Sequence, residues 1–198
     1  MKIKRISAYL IDTLIVTIIS SMIFSLPIFN NYIEDYEDVY DDFVRELDYI
    51  QNIGSAEYNE ERLYDIEYNM ISSQKPRQFI DVGLLIIYFG VFAYLADGQT
   101  IGKKILKIKV VGVKKQLQPH LFMLRTIILT NFIPNLISLI VLIIGSKETW
   151  IATNNIVVYV NYFITFIIIG FMIFREDERG FHDIICDTQV IDLKNQEK

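Results

Sequence analysis

The sequence predicts an all-α membrane protein with four transmembrane helices, an extracytoplasmic helical hairpin and a small cytoplasmic β-ribbon. First, 52% of its 198 residues are hydrophobic and the mean hydropathy is +0.32, although the chain carries 19 basic and 24 acidic side chains. Second, these charges are segregated from four long apolar runs. Third, each run approaches the roughly 20 residues that a helix needs to cross a bilayer core. This pattern excludes a single soluble core of ordinary size.

The first apolar run covers residues 6–29 and is interrupted only by Asp12 and small hydroxyl side chains. The basic N-terminal residues Lys2, Lys4 and Arg5 precede it. A secretory signal peptide would also begin with positive charge, but its apolar core would be shorter and a small-residue cleavage site would follow. No Ala-x-Ala pattern follows here, so the run predicts a retained transmembrane helix.

Three further apolar runs complete the predicted bundle, at residues 79–96, 121–145 and 156–174. Four crossings place both termini on one side of the membrane. Thirteen Lys and Arg residues flank the spans on the side of the termini, against five on the other side. Because basic residues are enriched in cytoplasmic loops, we expect both termini and residues 97–120 to be cytoplasmic and the 30–78 segment to lie outside a cell membrane.

The 30–78 segment predicts an acidic helical insert. It holds thirteen acidic residues against four basic ones, and apolar residues recur in its first half at helical steps of three and four. Gly54 and Ser55 interrupt this pattern, and residues 58–73 can form a second helix that turns its apolar side toward the first. The simplest interpretation is a hairpin that packs on itself or on the membrane surface. The alternative is a vestibule whose acids concentrate cations at a pore mouth.

Two short segments, residues 105–113 and 188–193, predict strands because both are rich in β-branched residues. They can pair into a small ribbon at the cytoplasmic face. The preceding Gly98–Lys104 stretch has the look of a phosphate loop, but only three residues separate its glycines and no Ser or Thr follows its lysines. We interpret the lysines as topology determinants that touch anionic lipid headgroups, worth about 1 kcal/mol each.

Several chemistries are excluded or disfavoured. Cys186 is the only cysteine, so an intrachain disulfide, a Cys-based zinc site and a CxxC redox pair are excluded. The basic 97–120 segment is short and lacks interleaved aromatic residues, which argues against nucleic acid as a partner. His182 beside Asp183 suggests a general base, but no nucleophile or second metal ligand has suitable spacing. We therefore predict no enzyme activity, no cofactor and no metal, and a helix-to-strand corner held by hydrogen bonds of Asp183 and Thr188.

Asp12 is the most informative polar residue of the predicted spans, because an ionisable group in lipid costs several kcal/mol unless it finds a partner or water. Arg5 lies on nearly the same helix face about 10 Å away, but its side chain leans toward the N-terminus and away from Asp12. We therefore expect the carboxylate to meet Arg125, His182 or Arg179. Two interpretations stay open: a buried ion pair that fixes helix packing, and a cation or proton site.

Uncharged polar side chains also follow helical spacing inside the spans. Three such sets occur, in the third, first and fourth spans respectively: Asn131, Asn135 and Ser138; Thr13, Thr17 and Ser20; Asn161 and Thr165. Hydrogen bonds between helices explain all three. The alternative is a hydrophilic path, because Pro134 frees the carbonyl of Thr130, and a freed carbonyl beside amide side chains can coordinate a cation.

The order of local motifs resembles the RDD family of small multi-pass membrane proteins, which is named for one arginine and two aspartates. The matching stretches are RISAYLID at residues 5–12, GQTIGKK at 98–104 followed by IKVV at 108–111, Arg125 at the entry of the third span, GFHD at 180–183 and TQV at 188–190. Everything except the 30–78 segment is covered. The resemblance implies that Arg5 and Asp12 are the name-giving arginine and first aspartate. It implies that Asp183, with Asp97 as the alternative, is the second aspartate.

By this resemblance we expect an integral plasma-membrane protein that takes part in transport of an ion or small solute, since ligand transport is suspected for the family and sodium–proton exchange is attributed to some members. The specific hypothesis is cation/proton exchange. Its candidate coupling residues are Arg5, Asp12 and Asp183, supported by Arg125, Asn131, Asn135 and His182. Four helices are few for a complete path, so we expect a homo-oligomer or a larger membrane complex. The alternative is a non-transporting membrane module that binds or stabilises a partner protein.

Overall fold

The computed structural model of the chain describes residues 1–53, 60–113 and 116–195. Helices account for most of these residues, and two short strands form one antiparallel sheet. The prediction of a mostly helical protein with a small β-ribbon is therefore confirmed. We call the end of the helix bundle that carries the sheet the ribbon end. The opposite end, which carries the 30–78 segment, is the insert end.

The elements alternate between long helices and short connecting pieces. The helices are α1 (Lys2–Phe24), α2 (Asn30–Ile53), α3 (Glu60–Ser73), α4 (Lys75–Leu95), α5 (Ile101–Ile105), α6 (Pro119–Leu129), α7 (Phe132–Ile144), α8 (Lys147–Phe174) and α9 (Phe181–Ile185). The strands are β1 (Ile108–Gly112) and β2 (Thr188–Asp192). Within the described residues, α1, α4 and α8 are long and apolar enough to cross a membrane, and the number of such spans rises to four if α6 and α7 count as one.

α1 ends five residues before the end of the predicted 6–29 span, and residues 27–29 form a separate 3-10 turn. Pro27 explains the early end, because a proline forces the residue before it into extended backbone, and Leu26 has a ψ of 146°. One face of α1 is buried at steps of four residues: Ala8, Asp12, Val16, Ser20 and Phe24. The other face leaves large apolar side chains exposed, as expected where a helix meets lipid.

The insert folds as two helices, α2 and α3, which pack against each other. The buried carboxylate of Glu46 accepts a hydrogen bond from Arg62 Nε at 2.8 Å. The predicted break at Gly54 and Ser55, and the first residues of the predicted second helix, lie outside the described residues. An acid buried at the helix interface therefore belongs to the packing of the hairpin, whereas most other acids of the insert face solvent.

The hairpin also contacts the bundle, because α8 begins at Lys147 instead of at residue 156 as predicted. Ser146 caps this longer helix by accepting a hydrogen bond from the Thr149 amide at 3.3 Å. The ring of Trp150, in the added turns, lies 5.5 Å from the ring of Tyr68 on α3. With 28 residues, α8 is about 42 Å long, which exceeds a bilayer core of about 30 Å. The extra length supports the insert.

α4 contains the whole predicted 79–96 span except its last residue, and it begins at Lys75 with Pro76 in its first turn. Its segment Ile87–Phe92 is a π-helix, in which each hydrogen bond spans five residues instead of the four of an α-helix. The Gly90 position in this segment permits close approach of α6, because a Cβ there would lie only 2.9 Å from the Met123 sulfur. The helix thus packs closely at the level of its π segment.

The third predicted span, 121–145, is not one helix. α6 and α7 meet at an angle of 66°. Between them, Asn131 adopts left-handed backbone with φ of 51°. Pro134 lies in the first turn of α7, where a missing amide hydrogen is tolerated, so the chain breaks before the proline instead of kinking at it. This break places polar backbone groups inside the bundle.

The ribbon is built from two copies of one helix-turn-strand unit. α5 and β1 form the first copy, and α9 and β2 form the second copy exactly in register, with Val110 opposite Val190 at the centre of the antiparallel pair. Lys107 and Asp187, which precede the two strands, both have left-handed backbone, with φ of 55° and 48°. A local two-fold axis therefore relates the two units. It relates Lys103 of α5 to Asp183 of α9.

Candidate functional site

The ribbon end holds a buried cluster of charges around Asp183. Its carboxylate has no exposed surface and forms ion pairs with Arg5 of α1 and with Arg125 of α6, the latter at 2.9 Å. The Gly180 amide donates to the same carboxylate at 3.1 Å and the Thr188 hydroxyl donates at 3.3 Å. The last contact is the helix-to-strand corner that the sequence predicts. α1, α6, α9 and β2 are thus joined at one carboxylate.

Electrostatics keep this carboxylate charged. Burial raises the pKa of Asp183, but the charges of Arg125 and Arg5 outweigh burial and hold that pKa well below its usual value. Burial lowers the pKa of neighbouring His182 to about 3 against the opposing charge of Asp183. The histidine ring is therefore neutral at physiological pH, with Nε2 at 3.3 Å from a terminal nitrogen of Arg125. The site is therefore a buried ion-pair network of Arg5, Arg125 and Asp183 with a neutral imidazole beside it.

Asp12 lies in a separate site and meets none of the partners that the sequence suggests. Its carboxylate is fully buried and accepts hydrogen bonds from the Tyr88 hydroxyl at 2.7 Å, the Gly102 amide at 2.7 Å and the Thr100 hydroxyl. The expectation of a cationic partner is wrong, because Arg125 pairs with Asp183 instead. Gly102 is required here, since a Cβ would lie 2.4 Å from the Ala8 carbonyl oxygen. Asp12 thus anchors α5 to α1 and α4.

Arg179, the other suggested partner of Asp12, is used within the tail. It donates to the backbone carbonyl oxygens of Thr188 at 2.9 Å and Asp183 at 3.0 Å. Asp97 has an exposed side chain that pairs with Lys109. Of the two candidates for the second family aspartate, the structure places Asp183 against Arg5 and leaves Asp97 at the surface.

Lys103 is a buried lysine that interacts electrostatically with both carboxylates, Asp12 and Asp183. Its side chain is 9% exposed, and no hydrogen bond or ion pair reaches its ammonium group from the described residues. Burial and the charge of Arg125 lower its pKa to about 7, while Asp12 and Asp183 raise it. The interpretation that this lysine touches lipid headgroups is wrong, whereas Lys104 beside it is exposed. Close packing of Gly102 against α1 explains why Lys103 is buried and Lys104 is exposed, because it brings the Lys103 side of α5 toward the bundle.

Two cavities lie on either side of one aromatic pair. The inner cavity, about 270 Å³, is at the ribbon end and is lined by Arg5, Asp12, Lys103, Arg125 and His182 together with apolar side chains of α1 and α8. The outer cavity, about 460 Å³, extends toward the insert end. Tyr9 and Phe89 line both cavities, and their ring centroids are 5.7 Å apart. The two cavities therefore adjoin at this pair.

The outer cavity is lined by both uncharged polar and apolar side chains. Its charged lining residues are Arg77 and Asp81, both on α4, and Asp81 accepts a hydrogen bond from Ser20 of α1. Thr13 and Thr17 also line it, but each donates to its own helix, four residues back, at 2.9 and 3.0 Å. The predicted bonds between helices are therefore absent for these two threonines.

Between α7 and α8 the predicted bonds are present. Asn161 Nδ2 donates to Asn135 Oδ1 at 3.0 Å, and Ser138 donates to Asn154 Oδ1 at 3.2 Å. Asn131 Nδ2 donates across the break to the Asn161 carbonyl oxygen at 3.3 Å and to Thr165 Oγ1 at 3.1 Å. The amides thus join the broken third span to the middle of α8.

Three buried residues of these sites were not predicted from the sequence. Lys103 lines the inner cavity, and Tyr88 and Thr100 donate hydrogen bonds to Asp12. A usable signal was the Gly98–Gly102 spacing, because two glycines this close to charged residues indicate tight backbone packing. Tight packing would have predicted that some of the adjacent polar side chains are buried.

The motifs and their geometry agree with the comparison against known proteins. The family model described as "RDD family" matches residues 3–187, nearly the whole chain. No curated protein and no solved structure matches the sequence. The match includes Arg5, Asp12 and Asp183, which the fold brings to the ribbon end within two neighbouring polar sites. The chain belongs to the RDD family of proteins, and its long apolar helices give it the character of a membrane protein.

Proposed function

We propose that this protein exchanges a cation for protons across the cell membrane, with the ribbon end and both termini in the cytoplasm. The observation that carries the proposal is Lys103, a buried lysine without a direct partner among the described residues, which lines the inner cavity. A buried charge in this position is costly unless it is neutralised by loss of its proton or by a counter-charge. The side chain is therefore suited to hold and release a proton.

The charges around Lys103 couple entry of the cation to loss of the proton. Three cationic side chains and two carboxylates meet there, so the formal charge is +1 with Lys103 protonated and zero with Lys103 neutral. The groups are Arg5 and Asp12 of α1, Lys103 of α5, Arg125 of α6 and Asp183 of α9. A cation entering the inner cavity is repelled in the first state and accepted in the second. Entry of a cation and loss of the proton therefore favour each other.

Asp12 acts in this proposal through Lys103. Its three hydrogen-bond donors are neutral, so its negative charge is not cancelled by a direct ion pair. That charge raises the pKa of Lys103 against the effect of burial. Without it, Lys103 would lose its proton at lower pH, and exchange near neutral pH would weaken.

The test is cation-dependent proton flux in proteoliposomes, followed with a pH-sensitive dye from pH 6 to 9. Lys103→Met fixes the inner cavity in its neutral state and Lys103→Arg fixes it in its charged state, so both should abolish exchange. Lys104→Met removes an exposed lysine next in sequence and should leave exchange unchanged. Wild-type exchange should change most steeply near pH 7, the pKa of Lys103.

Flux that persists in both Lys103 variants would refute this mechanism. Absence of flux in the wild type would favour the second candidate function, a membrane module that binds a partner protein. The insert supports that candidate, because residues 30–78 carry thirteen acids against four basic residues and most of these acids are exposed. A homo-oligomer stays a prediction, which the mass of the purified protein in detergent would check.

A further inference from the structure

We infer that the break between α6 and α7 is a binding site for a dehydrated alkali-metal cation, with the Asn131, Asn161 and Thr130 oxygens as ligands. The inference rests on the proposed exchange, for which it names the place where the cation is held. It depends on groups different from those around Lys103. The two ideas can therefore be tested separately.

The break exposes a backbone oxygen inside the bundle. In a continuous helix the Thr130 carbonyl would accept a hydrogen bond from the amide four residues later, but that residue is Pro134, which has no amide hydrogen. The nearest donor is the side-chain amide of Asn135 at 3.5 Å, the outer limit of a hydrogen bond. Thr130 itself is buried. Its carbonyl oxygen is therefore weakly satisfied and available to a cation.

Two side-chain oxygens beside the break have no donor. Asn131 Oδ1 and Asn161 Oδ1 are both buried and receive no hydrogen bond from any described residue. The amide orientations are fixed by the nitrogens, because Asn131 Nδ2 donates to the Asn161 carbonyl oxygen at 3.3 Å and Asn161 Nδ2 donates to Asn135 Oδ1 at 3.0 Å. Turning either amide would lose these bonds. Two buried acceptors without donors are costly in an apolar environment, and a cation would satisfy both.

The position of the oxygens suits transport. Asn161 lies near the middle of the 28 residues of α8 and lines the outer cavity, whereas Thr165, one turn further along α8, lines the inner cavity. Because Asn131 bonds to both Asn161 and Thr165, the break lies where the two cavities adjoin. Transporters commonly hold their ions near the membrane midplane at discontinuous helices, where unwound carbonyl groups replace water.

The chemistry of the oxygens selects the charge of the ion. All three proposed ligands are neutral amide or carbonyl oxygens, and the described residues contain no cluster of three His, Cys, Asp or Glu side chains that could hold a metal ion. Divalent and transition metals favour sites with carboxylates, imidazoles or thiolates. Neutral carbonyl oxygens are the ligands that replace the hydration shell of K⁺ in channels. A single positive charge therefore fits this site.

The test measures the melting temperature of the purified full-length protein in detergent as choline chloride is replaced by NaCl or KCl at constant ionic strength. A ligand that binds the folded protein raises its stability with concentration. We expect a saturable rise with at least one alkali-metal ion, and loss of that rise in Asn161→Leu. Asn154→Leu is the matched control on the same helix, because the Asn154 oxygen already accepts a bond from Ser138, and it should keep the rise.

A second variant guards against misfolding of Asn161→Leu. Asn131→Gly removes the other unpartnered oxygen, and glycine readily adopts the left-handed backbone that Asn131 has. It should fold and also lose the rise. No alkali-dependent rise in the wild type, or an unchanged rise in both variants, overturns the site. Ion binding without flux in proteoliposomes would refute exchange and keep the site, whereas flux that both variants retain would refute the site and keep exchange.

Discussion

Replacing Asp183 with Asn should destabilise the protein more than the same replacement at Asp12, although both carboxylates are completely buried. Asp183 neutralises Arg5 and Arg125, whose side chains are 9% and 3% exposed, and no other carboxylate pairs with either arginine in the described structure. Breaking a buried ion pair in this way costs about 3 to 5 kcal/mol, because the partner charge is left uncompensated. Two arginines lose their counter-charge here, so we expect the upper part of that range.

Asp12→Asn breaks no direct ion pair, because all three donors to Asp12 are neutral, and Lys103 nearby can release its proton. The amide oxygen can keep the bond from Gly102, and the Thr100 hydroxyl can rotate to accept from the new amide group. The cost is then the difference between hydrogen bonds to a charged and to a neutral acceptor, about 1 to 2 kcal/mol. The chemical change is identical in the two variants. The difference in their loss of stability therefore follows only from the residues that contact each carboxylate.

The free energies of unfolding can be compared by titrating SDS into mixed micelles while following helix content by circular dichroism. Adding Arg125→Gln should partly restore Asp183→Asn and should not restore Asp12→Asn. The pKa of Asp183 is held below its usual value. The wild type should therefore exceed Asp183→Asn in free energy of unfolding by the full amount above about pH 4, and by less in stronger acid. A larger loss for Asp12→Asn, or its rescue by Arg125→Gln, would refute the assignment of partners.

Two further predictions concern topology and the insert. In a Cys186→Ser background, an exposed probe cysteine at Asp48 should react with an impermeant reagent on intact cells, and one at Gln116 only after permeabilisation, so the reverse pattern would invert the proposed orientation. Trp150→Ala should destabilise the docking of the insert on α8 and increase protease cleavage within residues 30–78, because its ring packs on Tyr68, while an unchanged digestion pattern would show that the hairpin is held by other contacts.

The local elements of this fold could be predicted because each has a signal within a few residues. Alternating β-branched residues mark both strands, and apolar length marks α1 and α4. The start of α8 was misplaced by nine residues, since Asn154, Asn155 and Lys147 lower the local hydropathy although they do not interrupt a helix. Hydropathy identifies only the apolar part of a helix, whereas α8 continues beyond its apolar part and contacts the insert.

The partners of the buried charges could not be predicted, because they depend on tertiary packing. Arg5 and Asp183 are 178 positions apart, and nothing near either residue indicates that they meet. Arg5 bonds to Asp183 and not to Asp12, but the conclusion that Asp12 needs a cationic partner was wrong, since hydroxyl and backbone donors suffice. The break at Asn131 was not predicted, because Pro134 was expected only to free the Thr130 carbonyl, whereas it lies in the first turn of a new helix.

The order in which the chain is synthesised gives the ion pairs of Asp183 a further meaning. Arg5 and Arg125 enter the membrane region early, but the residue that neutralises them is made only after the last long helix. Any product that stops before α9 therefore keeps two guanidinium groups in an apolar setting without a counter-charge. Such truncated chains should be unstable and accessible to membrane proteases. The ion pairs of Asp183 with α1 and α6 therefore form only in a chain that includes α9.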